Sequence, residues 1–121
     1  MLLDQLFNDL LTSMTTSTEG LAAWWQDNDL FLELELPGYD KGKISIIRDN
    51  DSILIEATKF EVPGNKEYII KNSSYPEVIL RKYLLPKCLD EDKTEAAYEN
   101  GILRVRMPKS ANALSKRISI K

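Results

Sequence analysis

The sequence predicts an all-β protein, an antiparallel β-sandwich, from three observations. Between Trp24 and Pro108 apolar residues alternate with polar ones, the spacing of strands that bury one face. Several such segments are short and separated by turn residues, with almost no helical periodicity between them. Asn100-Gly101 also stands between two alternating segments, and both residues of this pair tolerate a positive φ. An Asn-Gly pair in this setting is the strongest short-range signal of a β-hairpin.

The clearest predicted strand lies in the segment DLFLELELPG. Its leucines share one face of an extended chain, and Pro37-Gly38 ends it; they are Leu30, Leu32, Leu34 and Leu36. The segments KISII and SILIEAT follow, joined by the polar turn RDND. EVILRKYLLP and KTEAAYENGILRVRMP supply the remaining predicted strands.

A long connection, residues 57–77, interrupts this pattern. It contains Pro63-Gly64 and Tyr75-Pro76 around one strand-like run, KEYIIK. A loop of this length inside a compact domain usually has a function of its own.

The two ends of the chain differ from the predicted sandwich. Residues 1–14 predict a short amphipathic helix whose apolar stripe comprises Leu3, Phe7, Leu10 and Met14. Such a helix is marginal alone in water, so its stripe must dock on this domain, on another subunit or on a ligand. Residues 109–117 form a polar tether, after which Ile118 and Ile120 share one face of an extended chain. We therefore expect an arm at 1–20, a sandwich domain at 21–108 and an extension at 109–121.

Composition excludes most enzyme chemistry. The 121 residues include one cysteine, Cys88, and no histidine, so we expect no Cys/His metal site and no Ser-His or Cys-His nucleophile. The start lacks a basic signal-peptide region, and no apolar run is long enough to span a bilayer, which predicts a cytoplasmic location. The first 40 residues hold eight acids and no Lys or Arg, so nucleic acid and anionic membranes are poor partners.

Four local features compete as sites, and each favours a structural interpretation. GYDKGKI is one residue too short for a phosphate loop and has Ile44 where a hydroxyl is needed, so we expect no nucleotide. The run Asp90 to Asp92 favours a solvated turn over a metal site. Cys88 lacks a neighbouring base or second thiol. Trp24 and Trp25 favour anchoring of the first strand over stacking on a ligand.

An ordered set of motifs now resembles a known family. ELPGYDKGKI, LRKYLLP, AAYENGILRVRMPK and the terminal Ile118-Ser119-Ile120 occur in the order and spacing of the α-crystallin domain of small heat-shock proteins. The resemblance runs from about Trp24 to the end of the chain. It implies an immunoglobulin-like sandwich and an ATP-independent holdase, a chaperone that binds unfolding proteins without a cofactor. The arm before the domain is short for this family.

The resemblance also implies how copies of the chain assemble. It implies a homodimer in which the long loop's strand pairs with the partner's edge, and a larger homo-oligomer joined by Ile-x-Ile tails. The tail of Ile118 and Ile120 then occupies a groove between KISII and KTEAAYE, expected to involve Ile44, Ile46 and Ala96. The two-residue alternation of side chains along a strand leaves open whether Ile47 or Tyr98 faces that groove instead. The implied dimer interface comprises Arg81, Tyr68, Ile69, Ile70 and Trp24, and the implied client-binding stripe is Leu3, Phe7, Leu10 and Met14.

Arg81 shares its strand face with Ile79 and Tyr83, where an unpaired charge is costly, so we expect a carboxylate partner. A surface ion pair is the alternative for this side chain. Two other functional classes stay open: a CS-domain co-chaperone adaptor, which shares the sandwich but needs no Ile-x-Ile tail, and a small-ligand module, for which the sequence displays no converging polar groups.

Overall fold

The fold was analysed in a computed structural model, which describes residues 17–49, 51–73, 75–111 and 120. Within these residues the chain forms seven strands and one short 3-10 helix. The strands are β1 (Leu21–Gln26), β2 (Asp29–Glu35), β3 (Tyr39–Arg48), β4 (Ser52–Lys59), β5 (Val78–Leu84), β6 (Glu95–Glu99) and β7 (Ile102–Pro108), and the 3-10 helix is Glu91–Lys93. The prediction of an all-β fold is confirmed.

The strands form two antiparallel sheets. One sheet has four strands in the order β1-β2-β7-β6, and the other has three in the order β3-β4-β5. The chain passes from the first sheet to the second at the turn between β2 and β3. In the described part of the chain, β1, β3, β5 and β6 are therefore edge strands.

The core lies between the two sheets and consists of the inward residues of each strand. Leu30, Leu32 and Leu34 of β2 lie opposite Met107, Val105 and Leu103 of β7, and all six are buried. Ile53, Ile55 and Ala57 of β4 supply the facing layer, with Tyr83 of β5. Because successive strand residues point to opposite faces, the alternating leucines of β2 are buried while Glu33 and Glu35 face outward.

Two tight turns set the hairpin registers. Asn100 and Gly101 have φ of 53° and 76° and join β6 to β7, so the predicted hairpin is confirmed. Asp27 and Asn28, with φ of 51° and 70°, make a similar turn between β1 and β2. The sequence did not predict β1 as a separate strand.

The sequence predicted a strand-like conformation for KEYIIK. This prediction is wrong for the single chain, because the described residues between Lys59 and Val78 form no strand. The two ends of this loop are nevertheless held firmly. The ammonium group of Lys59 donates a 2.6 Å hydrogen bond to the Tyr75 carbonyl. The Tyr39 hydroxyl donates to the Pro76 carbonyl. The predicted helix at 1–14 lies outside the described residues.

Candidate functional site

A groove lined by both apolar and charged side chains lies between the edge strands β3 and β6, where the two sheets end side by side. It encloses about 290 Å³. Its lining comprises Lys41, Ile44, Ile46, Ala96, Ala97, Tyr98, Glu99 and Leu103. The structure thus brings together the three residues that the sequence proposed for the tail-accepting groove.

Strand alternation explains which side chains enter the groove. Ile44 and Ile46 lie opposite Ala57 and Ile55 of the buried strand β4, so both point inward, while Ser45 points outward. On β6, Ala96 and Tyr98 lie opposite Val105 and Leu103, which are also buried.

Of the two residues left open, Tyr98 lines the groove in addition to Ala96, and Ile47 does not line it. Ile47 is on the outer face of its sheet and is 50% exposed. The Tyr98 hydroxyl also donates a hydrogen bond to the Leu36 carbonyl at 2.6 Å. The sequence could not identify this bond, because a backbone acceptor has no side-chain signature.

Arg48 continues the inward row of Ile44 and Ile46 to the end of β3. Its Nε and Nη2 atoms are buried and have no hydrogen-bond partner among the residues described, and Nη1 lies 3.5 Å from the Ser52 carbonyl oxygen. Burial lowers the pKa of Arg48, and the nearby carboxylates, first among them Glu91, oppose that shift. The inward-facing side chains of β3 therefore change from apolar, at Ile44 and Ile46, to cationic, at Arg48, toward the 3-10 helix.

Arg81 does not have the expected carboxylate partner in the part of the chain that is described. Its Nη1 donates hydrogen bonds to the carbonyl oxygens of Ser17, at 2.8 Å, and Glu19, at 3.1 Å. The Tyr83 hydroxyl donates to the same Ser17 carbonyl at 3.1 Å. Burial raises the pKa of Tyr83, and the Arg81 guanidinium partly offsets this. Arg81 therefore fastens the segment before β1 onto β5, which brings the edges of the two sheets together.

The other residues proposed for the dimer interface lie near the same side of the sandwich or on the long loop. Trp24 is on edge strand β1 and stacks on Phe31, with ring centroids 5.5 Å apart. Tyr68, Ile69 and Ile70 are on the loop and are exposed, Ile69 by 98% and Ile70 by 81%.

Three of the features weighed as competing sites make structural contacts. The Asp90 side chain accepts a hydrogen bond from the Asp92 amide and caps the 3-10 helix. Cys88 is half-buried against the core. Trp25 faces the other sheet, and the Lys109 ammonium lies 4.8 Å from its ring centroid. Among residues 17–49, 51–73 and 75–111 no cluster of acids and thiols suits a metal ion, and no helix is long and apolar enough to cross a membrane.

Two proposed sites lie wholly or partly outside the described residues. Leu3, Phe7, Leu10 and Met14 are in the undescribed arm, and Ile118 is in the undescribed part of the extension. Ile120 is described and is 98% exposed.

The sequence of this chain is similar to the sequences of known proteins. A model of the Hsp20/alpha crystallin family matches residues 23–121. The small heat shock protein C2 of Rickettsia felis is 33% identical over 97 residues, which are 78% of this chain and 62% of that protein. This chain thus spans less than two thirds of that relative. The heat shock protein HSP.16.4 of Streptococcus thermophilus is 30% identical over 110 residues, 88% of this chain and 74% of that protein.

Solved structures share the fold. A small heat-shock protein from Xylella fastidiosa, described as having a distinct high order structure, superimposes with a TM-score of 0.66 at 24% identity. The superposition covers 84% of this chain and 94% of that one. This solved protein therefore has the same fold as this chain.

Proposed function

Because this chain belongs to the Hsp20/alpha crystallin family, we propose that it is an ATP-independent holdase that binds unfolding proteins and prevents their aggregation. The family match over residues 23–121 carries this proposal. Small heat shock proteins are non-enzymatic chaperones. The groove between β3 and β6 supports a means of assembly that requires no catalysed reaction. A protein that binds the unfolded state of a client withdraws that state from aggregation by mass action.

The assembly unit is a homodimer formed by loop exchange. The apolar side chains of Ile69 and Ile70 project from the long loop and are exposed in the single chain, which favours their burial against a partner. Edge strand β1 has an unpaired side in the described residues, and an extended segment can add to such an edge. Arg81 supports this arrangement, because it holds the backbone immediately before β1.

Dimers are joined by the Ile-x-Ile tail of one chain in the β3–β6 groove of another. The groove is apolar where Ile44, Ile46 and Ala96 line it, and it lies between two strand edges. Ile120 is exposed in the single chain and requires cover elsewhere. The polar tether after Pro108 reaches about 30 Å when extended, so the tail can leave its own domain.

Each tail contact is weak on its own. Burying two isoleucine side chains contributes about 3 to 6 kcal/mol before the costs of tethering and ordering. Many weak contacts nevertheless produce a stable particle that exchanges subunits. We propose that such exchange exposes the arm stripe of Leu3, Phe7, Leu10 and Met14 to clients. From the sequence alone we predict that the protein does not bind nucleic acid, membranes or nucleotides. We also predict a cytoplasmic location from the sequence.

The proposal is tested by light scattering of a heat-unfolding client enzyme, without ATP, at increasing ratios of this protein to client. We expect scattering to fall with increasing ratio and to be unaffected by added ATP. Native mass spectrometry of the same sample should show particles larger than a dimer. A monomer that leaves client scattering unchanged would contradict the proposal and favour the adaptor class.

A further inference from the structure

The outer face of the three-stranded sheet carries an apolar stripe that no described residue covers. Val78 and Leu80 of edge strand β5 are 62% and 63% exposed, and Ile47 of β3 is 50% exposed. Leu54 of the middle strand β4 lies directly opposite Ile47, between Ile47 and the two residues of β5. We call Ile47, Leu54, Leu80 and Val78 the outer stripe.

The outer stripe crosses its sheet diagonally. Ile47 lies opposite Leu54, which lies opposite Lys82, and Val78 is four residues before Lys82 on the same strand. Two strand spacings and four residues of rise place the ends of the stripe about 17 Å apart. The apolar positions of the predicted arm helix, from Leu3 to Met14, span about 16 Å at 1.5 Å per residue. The two apolar surfaces therefore match in length.

The arm leaves the sandwich at the free edge of β5, on the face of that strand opposite to the outer stripe. The Ser17 carbonyl accepts hydrogen bonds from Arg81 and Tyr83, two residues of β5. Two residues lie between Met14 and Ser17, so three steps along the chain place their Cα atoms at most about 11 Å apart. To dock on Val78 and Leu80, the arm has to pass around the free edge of β5.

The outer face of the other sheet is a poorer surface for the arm. Its outward residues include five acids and two arginines: Asp29, Glu33, Glu35, Glu95, Glu99, Arg104 and Arg106. Both arginines are already paired with those acids. The arm contributes Asp4 and Asp9 and no cation, so like charges disfavour it there. The outer stripe is flanked by Glu56 and Lys82, which balance in charge.

We propose that residues 1–14 dock as an amphipathic helix on the outer stripe of their own chain, with Leu3, Phe7, Leu10 and Met14 against the sheet. This contact covers both apolar surfaces at once. The docking itself does not depend on the proposed holdase activity. Its consequence does rest on that activity: the docked arm conceals the stripe proposed to bind clients, so clients are captured after the arm is released.

Thiol cross-linking tests the docking directly. In a Cys88→Ser background, Leu11→Cys at the margin of the arm stripe is paired with Glu56→Cys at the centre of the outer face. The matched control pairs Leu11→Cys with Arg104→Cys, an exposed position on the outer face of the other sheet. With a short bis-maleimide, we expect the first pair to link at least about tenfold faster than the control, because docking raises the effective concentration. Mixing isotopically light and heavy chains shows by mass spectrometry whether the link lies within one chain. Equal rates for the two pairs, or links only between chains, would overturn the proposal.

Hydrogen exchange provides a second measurement that leaves the cross-linking positions unchanged. Val78→Ser with Leu80→Ser should lower the protection of arm amides at least about tenfold, because two apolar side chains of the docking surface are lost. Phe60→Ser with Val62→Ser removes two similarly exposed apolar side chains from the long loop and should leave arm protection unchanged. Unaltered arm protection in the first variant overturns the docking, whether or not the protein suppresses client aggregation. Loss of aggregation suppression with intact cross-linking would instead contradict the proposed function.

Discussion

The hydroxyl group of Tyr98 donates a hydrogen bond of 2.6 Å to the backbone carbonyl of Leu36, and the Tyr39 carbonyl lies 3.2 Å from the same hydroxyl. Tyr98 belongs to edge strand β6, whereas Leu36 and Tyr39 flank the turn that joins β2 to β3. This side chain therefore links the two strand edges that form the groove. It holds them at one end, where the chain passes from one sheet to the other.

Tyr98→Phe removes that link and keeps the ring in the groove. We expect a loss of about 1 to 2 kcal/mol in stability, because the Leu36 carbonyl keeps only the longer hydrogen bond from the Tyr39 amide, at 3.3 Å. The melting temperature followed by circular dichroism measures the effect. Tyr68→Phe, an exposed tyrosine of the long loop, is the control and should melt like the parent protein. If the two variants melt alike, the bond to Leu36 does not contribute to stability.

Local chemistry made much of this fold predictable. The leucines of β2 and the Asn100-Gly101 turn are encoded within a few neighbouring residues, so alternation and positive φ identify them directly. Strand β1 was missed because its Ala-Ala-Trp-Trp run has no apolar-polar alternation, and its inward side is decided by register with β2. The groove itself was implied by the resemblance to the α-crystallin domain, and the side chains that line it required the registers of β3 against β4 and of β6 against β7. The partners of Arg81 are carbonyls 62 and 64 residues away, which no side-chain pattern indicates.

A cation placed in the groove should block the proposed tail contact. Ala96 is exposed at its strand edge and points into the groove, so Ala96→Lys should fold and yet put a charge where the isoleucines dock. We expect sedimentation velocity to show dimers in place of larger particles. Ser45→Lys introduces the same charge on the outer face of β3 and should assemble normally. Equal masses for the two variants would place the tail elsewhere.

Arg81→Ala should detach the segment before β1 from β5. The guanidinium makes two hydrogen bonds to backbone carbonyls, and hydrogen bonds to charged groups contribute about 1.5 to 3 kcal/mol. We expect a lower melting temperature and a weaker dimer, since β1 is the edge proposed to receive the exchanged strand. Lys82→Ala changes the next residue, which points to the outer face, and should have a small effect. An unchanged melting temperature for Arg81→Ala would show that these two bonds are dispensable.

The stability of the protein should fall as the pH rises above about 10, partly through Tyr83. Burial raises the pKa of this tyrosine above its ordinary value of 10.0, so the unfolded chain releases the phenol proton first. The contribution of Tyr83 is present in full below pH 10 and is lost as the pH rises through its folded pKa. Melting temperatures at pH 9 and pH 11 should therefore differ less for Tyr83→Phe than for the parent. Tyr68→Phe controls for removal of an exposed phenol, and an equal pH dependence in all three proteins would contradict this assignment.

Replacing Ile118 and Ile120 together by Ser tests the connector between dimers. Both residues lie beyond Pro108, where β7 ends, so the core between the two sheets loses none of its buried side chains. The strand signal in circular dichroism should be retained, while the particle should dissociate into dimers at equal protein concentration, because the loop exchange uses β1 and not the groove. Leu114→Ser, a single apolar loss in the same extension, is the control and should keep the full assembly mass. Ile118→Ala alone should give partial dissociation, since each isoleucine then fills its own part of the groove. If the double variant keeps its full mass by sedimentation or light scattering, the Ile-x-Ile segment is not the connector, and the arm at residues 1–14 becomes the segment to test.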